Sequence, residues 1–329
     1  MMRALIVTVA GFLFFSTGRE VSAEVTAEPS DGGVIVKING QLFAEYLKGP
    51  KHQPCVWPII GPTGKPMTRA YPIGPEVSGE SDDHPHHHSL WFTHGEVNGL
   101  DFWTGRSSGQ VRGRETRAQR GGNQGSRIVH RDFVEVTNNG SQAKIVARND
   151  WMNDDEKVCQ DERMLVFSTD GDNRWIDFTV TVKATEGDVT FGDTKEGSFA
   201  IRVPDTMKVD AKLGGRIVNR EGLTNDDAWG MPSRWVDYSG PVDGETVGIA
   251  MLSHPKSFRP VCRWHVRTYG LFAANPFGQR DFPEPGLKQG EVTVRKGDDL
   301  TLRYRVLFHR GDEKQANMEE AYRAFAGEP

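Results

Sequence analysis

Short apolar runs alternating with polar residues recur along most of the chain, and they predict strands far more often than helices. Residues 175–182 and 300–308 alternate with period two, so each predicts a strand with one apolar face. Residues 246–252 are apolar after Thr246 and predict a buried strand, while 34–38 predicts a strand running into the turn pair Asn39-Gly40. Shorter strands are expected at 144–147, 164–168, 199–203 and 291–295, separated by Gly- and Asp-rich turns such as Asp170-Gly171-Asp172. One helix stands out, over 313–325, where Met318, Ala321, Tyr322 and Phe325 recur at three- and four-residue steps. It is expected against a sheet edge or end. Many short strands with long loops point to an all-β fold, a large antiparallel β-sandwich with one C-terminal helix.

The first 23 residues stand apart. Arg3 precedes an apolar run from residue 4 to 15, and Val21-Ser22-Ala23 is a small-residue cleavage pattern, so 1–23 is expected to be a signal peptide and 24–329 one β-sandwich domain. The run is too short for a bilayer span, which needs about 20 apolar residues. Secretion or a periplasmic location follows as the expectation. Cleavage moves the formal charge from −5 to −6, which gives no reason to hold nucleic acid. Cys55, Cys159 and Cys262 form no C-x-x-C pair, leaving either one disulfide or three buried thiols.

Candidate chemistry concentrates in Asp82-Asp83-His84-Pro85-His86-His87-His88-Ser89, which holds four of the ten histidines. Histidine titrates near neutrality and is a common metal ligand, so proton transfer, hydroxyl recognition and metal binding are all open. Read as an extended approach to a strand, the segment places His86 and His88 on one face and His87 on the other. The spacing of His84 and His86 suits one ion on an extended chain but matches no standard zinc signature. The following stretch offers Trp91, His94, Asn98, Asp101 and Trp103, either as a sugar-stacking surface with polar anchors or as a core hairpin through Asn98-Gly99.

Three further groups add to this. Glu196, within Gly192-Asp193-Thr194-Lys195-Glu196-Gly197, is either a general base or part of a plain surface turn. His254, His265, Arg267 and Asn275 lie in the stretch that joins an imidazole to a guanidinium able to fix a carboxylate. Arg234 and Trp235 sit in an aromatic-polar run from 229 to 238. Two long loops stand out. One covers 54–79, and the other, 110–127, carries Arg112, Arg114, Arg117, Arg120 and Arg127 and is either a solvated loop or a flap over an anionic or polyhydroxylated ligand. No nucleophile elbow, P-loop, dinucleotide fingerprint or H-E-x-x-H motif occurs.

Several of these stretches together resemble a bacterial family of unknown function that carries the label methane oxygenase PmoA. They are Asp83-His84-Pro85-His86-His87 with Leu90-Trp91-Phe92, Val97-Asn98-Gly99 with Asp101-Phe102-Trp103, Asp193-Thr194-Lys195-Glu196-Gly197, Pro232 to Tyr238, and Trp264-His265-Val266-Arg267 with Tyr269 to Gly278. The resemblance runs over about residues 33–310. The label's membrane oxygenase activity is not carried over, because beyond the expected signal peptide no segment is apolar enough to cross a membrane; the resemblance implies a companion of sugar-degrading genes and a design similar to the galactose-mutarotase-like supersandwich. By that analogy His86 or His87, His265 and Glu196 form the proton-handling set. Apart from the analogy, His84, Trp91, His94, Asn98, Asp101, Trp103, Arg234, Trp235, His254, Arg267 and Asn275 are expected to bind the substrate. The leading expectation is therefore an exported enzyme acting on a mono- or oligosaccharide by acid–base chemistry, as epimerase, lyase or hydrolase, without a cofactor. The alternatives are a non-catalytic module that binds glycan or protein, and a divalent-metal enzyme using His84, His86 and a nearby aspartate.

Overall fold

The computed structural model describes residues 23–105, 125–283 and 289–328; the expected leader (residues 1–22 of it) and most of the arginine-rich loop lie outside the described residues. The strands run in chain order as β1 (Val25–Pro29), β2 (Gly33–Ile38), β3 (Gln41–Leu47), β4 (Cys55–Ile59), β5 (Leu90–His94) and β6 (Ser126–Asn138). They continue as β7 (Gln142–Asn153), β8 (Glu156–Asp170), β9 (Asn173–Lys183), β10 (Val189–Phe191), β11 (Gly197–Arg202), β12 (Arg216–Asn219) and β13 (Pro232–Ser233). The last are β14 (Trp235–Val242), β15 (Glu245–Ser253), β16 (Cys262–Val266), β17 (Leu271–Asn275), β18 (Val292–Val294) and β19 (Asp299–Arg310), followed by α1 (Met318–Ala326).

Two large antiparallel sheets result. The first has the order β1-β2-β3-β4-β5-β11-β17-β16-β13, the second β12-β14-β15-β19-β9-β8-β7-β6, and β10 pairs with β18 in a small third ladder. The period-two segments behave as their pattern requires: β9 and β19 are neighbours, with Tyr304 opposite Phe178 and Leu302 opposite Val180 on the inner face. The expected Asn39-Gly40 turn joins β2 to β3, both residues having positive φ as such two-residue hairpins need. Aromatic rings then lock the sheets together. Phe199 of the first sheet stacks on Phe178 at 4.4 Å and on Tyr304 at 5.1 Å, and Phe43 meets Phe167 edge-on at 5.8 Å. Each fully buried large side chain of this kind contributes about 1.5–3 kcal/mol. One polar network is buried between the sheets. Asp161 accepts from Asn149, Trp151 and Arg163, and Arg163 crosses the gap to the Phe92 carbonyl at 3.3 Å.

The helix is shorter than the pattern indicates and begins at Met318. Residues before it turn tightly instead, because the Asp312 carboxylate accepts the backbone N–H groups of Lys314 and Gln315. It packs on the outer face of the second sheet rather than at an edge or end. Met318 and Tyr322 bury against Val218, Trp235, Ala250, Leu252 and Leu307. All three cysteines are buried free thiols.

The outer face of the first sheet is different in character. Cys55, Trp91, Ala200, Ala273 and His265 lie opposite one another across β4, β5, β11, β17 and β16 and so form one row on one face. The two alanines leave room close to the sheet, and the rings of Trp91, Trp103 and Tyr269 fill it.

Candidate functional site

The histidine segment lies over this row. It is a turn, not the start of a strand: His87 donates its N–H to the His84 carbonyl, His84 and Ser89 have positive φ, and β5 begins only at Leu90. The expected alternation of faces therefore fails, and His87 and His88 are both buried. His88 is held inside, with its Nε2 toward the Pro85 carbonyl at 3.2 Å and its Nδ1 3.3 Å from Gln53 Nε2.

What fixes the turn is a carboxylate shared by two buried guanidiniums. Arg69 and Arg202 are both fully buried, and both donate to Asp83 Oδ1, Arg202 from 2.8 Å. Arg69 also donates to the carbonyls of Asp83 and His84. Partial burial opposes ionisation of Asp83, but Arg202, the His84 ring and Arg69 outweigh it and hold the carboxyl at about 2. His84 Nδ1 lies 3.0 Å from the other Asp83 oxygen.

Ring contacts extend outward from there. The His84 ring stacks on His87 at 4.7 Å and on Tyr269 at 5.2 Å, with interplanar angles of 7° and 5°. His87 in turn stacks on Trp91 at 5.5 Å, and half-buried His86 stands edge-on to it at 4.6 Å, beside Trp103. The Arg267 guanidinium lies over Tyr269 at 5.7 Å and over Trp229 at 5.3 Å, and Trp229 donates its indole N–H to His265 Nδ1 at 3.2 Å. A continuous chain of contacts thus joins the histidine segment to His265.

Two of the imidazoles have their tautomers assigned by these partners. Guanidinium and indole nitrogens only donate, so Nδ1 of His87, 3.4 Å from Arg202 Nη1, and Nδ1 of His265 are acceptors, and each ring carries its proton on Nε2. Burial, then His86 and Arg202, push the pKa of His87 far below the ordinary histidine value. Burial, then Arg267 and Lys195, lower that of His265 to about 3. Both are neutral hydrogen-bond donors at physiological pH, not proton acceptors. Trp91, beneath His87, and His265 are three strand spacings apart, about 14 Å, so the two rings stand at opposite ends of an elongated patch.

Glu196 stands just before β11, where its carboxylate is within electrostatic reach of Tyr269 and the neighbouring Lys195 is within reach of His265. It is half-buried, accepts from the Thr194 hydroxyl, and has Lys195 Nζ at 3.7 Å. Its loop is clamped by Asn275, which donates to the carbonyls of Thr194 and Lys195, and by Asp193, which accepts the backbone N–H groups of Gln279, Arg280 and Gly290. The Tyr269 phenol lies within electrostatic reach of Arg202, Arg267, Asp83 and Glu196, and burial raises its pKa, so it stays protonated.

The structure therefore gathers His84, His86, His87, Trp91, Trp103, Glu196, His265 and Arg267 on one patch. The other expected residues lie elsewhere, each for an identifiable reason. His94 is fully buried beneath the patch, fixed by the Gly192 carbonyl at 2.8 Å and by Ser198, and burial lowers its pKa to about 4. Asn275 uses its amide inside the fold. Asn98 completes a tight turn against Asp188 and Thr190, and both Asp101 oxygens accept from Thr104. Arg234, Trp235 and His254 belong to the helix: Arg234 donates to the Tyr322 hydroxyl, the Trp235 indole to Glu319, and His254 meets the Phe325 ring at 5.0 Å. Two contributors, Arg69 and Arg202, escaped sequence reasoning, and Trp229 and Tyr269 entered it only as members of longer stretches with no role of their own. Only Arg202 had a usable signal, a charge closing the apolar strand Phe199-Ala200-Ile201. Among the described residues no three His, Cys, Asp or Glu side chains are grouped to hold a metal ion, and no helix is long and apolar enough to cross a membrane.

Among solved structures, the chain is similar to a polysaccharide lyase, at 14% identity and TM-score 0.32 over 89% of this chain, of whose length it spans 33%. It is also similar to a galactose mutarotase related enzyme from Lactobacillus acidophilus, at 14% identity and TM-score 0.29, covering 87% of this chain and 95% of that one. A galactose mutarotase-like protein from Clostridium acetobutylicum is similar at 9% identity and TM-score 0.32, over 88% and 99% of the two chains. No curated protein matches. The model of a family of unknown function, DUF6807, matches residues 33–323, and the chain belongs to that family.

Proposed function

We propose that this chain is an exported carbohydrate-active enzyme that binds a mono- or oligosaccharide along the patch on the first sheet and acts on it by acid–base chemistry. The observation that carries this is the gathering, over the outer face of one sheet, of aromatic rings, two neutral imidazole donors and, just before β11, the half-buried carboxylate of Glu196. Trp91 and Trp103 are buried and form the floor of the patch, while the partly exposed rings of Trp229 and Tyr269 suit the apolar face of a pyranose, and the Nε2–H groups of His87 and His265 suit its hydroxyl oxygens. Glu196 is the proton acceptor, and His86, half-exposed beside Trp103, is the donor across the site; the two tasks need separate groups within reach of one substrate. Export rests on the apolar run and cleavage pattern of residues 1–23.

A second reading, a glycan-binding module without turnover, is favoured by the neutrality of His87 and His265 and by the length of the patch. One experiment separates the two. The protein, Glu196→Gln and His86→Asn are each incubated with a panel of sugars and oligosaccharides, with products read by NMR and mass spectrometry and binding by calorimetry. Turnover by the parent, lost in Glu196→Gln with binding retained, supports the enzyme. Binding with no product from any of the three proteins supports the module, and no binding at all removes both readings.

A further inference from the structure

Arg267 is the unusual cation of the patch. Among the described residues its side chain has no carboxylate partner and no hydrogen bond, and its Nε is buried without an acceptor. Its faces are given to Trp229 and Tyr269 and its Nε is buried, which leaves the terminal Nη1 and Nη2 groups for a ligand. The surrounding charge is not balanced either. Arg69 and Arg202 share the single carboxylate of Asp83, and Lys195 meets Glu196 only loosely, at 3.7 Å. Among the described residues four cations, Arg69, Arg202, Arg267 and Lys195, thus share two carboxylates, Asp83 and Glu196, on a chain whose formal net charge is −5. A locally positive patch on an acidic protein concentrates anions where it lies.

We propose that the ligand of this patch is an acidic sugar, a glycan bearing a carboxylate, and that Arg267 receives that carboxylate edge-on. A planar guanidinium held by rings on its faces presents two parallel N–H groups in its own plane, the geometry that a planar carboxylate accepts in a two-point contact. A neutral sugar leaves the guanidinium without a counter-charge when it covers it, which is unfavourable. Lys195, half-exposed and within electrostatic reach of His265, adds a second, weaker attraction. The inference rests on the glycan reading above and narrows it to a substrate class.

The test is an array of neutral, uronate-containing and sulfated neutral oligosaccharides, probed with the intact protein and with Arg267→Gln, Arg267→Lys and Lys195→Gln, each first checked for an unchanged urea midpoint. Uronate chains are expected to be retained best and to lose affinity as salt rises. Arg267→Gln weakens them about tenfold or more, as loss of a charged hydrogen bond does, and Arg267→Lys recovers part of the loss. If Arg267→Gln does not fold, Lys195→Gln carries the test, with a smaller loss confined to acidic chains. Equal retention of neutral and uronate chains, or retention of sulfated chains alone, overturns the carboxylate assignment and leaves the glycan reading standing. Retention of none of them overturns both.

Discussion

Mild acid should cost this protein much of its stability, because it buries histidines that cannot take up protons while folded. Burial first, with smaller contributions from neighbouring groups, lowers His88 and His265 to about 3 and His94 to about 4, and His87 lies lower still. In the unfolded chain all four return to the ordinary value of 6.5. Unfolding therefore takes up protons below that value, so the stabilisation is complete above it and is lost as pH falls toward the folded pKa values. One pH unit below the unfolded value costs about 1.4 kcal/mol per histidine, or about 6 kcal/mol for the four. His309 acts in the opposite sense: burial disfavours its charge, but Asp237 outweighs this and raises it, so its contribution is present in acid and lost as pH rises. A net loss of about 3–5 kcal/mol between about pH 7.5 and pH 5.5 is a large part of the usual total of about 5–15 kcal/mol. Urea unfolding followed by tryptophan fluorescence at the two pH values measures it. Equal stability at both, or greater stability in acid, would refute the burial of neutral imidazoles on which the patch is built.

Asp83→Asn leaves Arg69 and Arg202 buried with no carboxylate; loss of one partner of a buried pair costs about 3–5 kcal/mol, which the 40% exposure of Asp83 screens toward about 2 kcal/mol. Adding Arg202→Met to that variant should recover stability in the same urea assay, and a double variant worse than the sum of the singles contradicts the charge argument. Asp237→Asn, at a pair buried on both sides, is expected to cost about 3 kcal/mol, read by the shift in urea midpoint. Burial pushes the thiols of Cys55, Cys159 and Cys262 above their ordinary pKa, so a thiol reagent should titrate none of them in the native protein and all three in urea. Tyr322→Ala should release the helix from the second sheet, costing about 3–5 kcal/mol by lost burial, without changing ligand binding by the patch.

The sheets were legible because strand alternation is a local property. Residues 175–182 and 300–308 declare an inner and an outer face without knowledge of their partners, and the structure pairs them with each other. The site was legible only where residue type is itself unusual. Clustered imidazoles drew notice to His84–His87, and Glu196 to a Gly-bounded turn. What remained hidden depends on contacts far apart in sequence. Arg69 sits in a loop remarkable only for proline and glycine, yet it and Arg202 create the buried charge that shapes the turn at His84. Trp235 and His254 misled because an aromatic next to a polar group reads the same whether it meets a sugar or a helix; only the docking of Tyr322 and Phe325 decides. The two-face expectation for His86 and His87 failed because Ser89, in the left-handed region, separates the turn from β5.

Where a ligand lands is the decisive observation. Hydrogen exchange read by mass spectrometry, with and without the best-retained oligosaccharide from the array, locates it. Slowed exchange at residues 83–88, 194–197 and 265–269, with the helix 318–326 unchanged, is the predicted result. Protection confined to the helix and its sheet face, with the histidine turn unaffected, would contradict it.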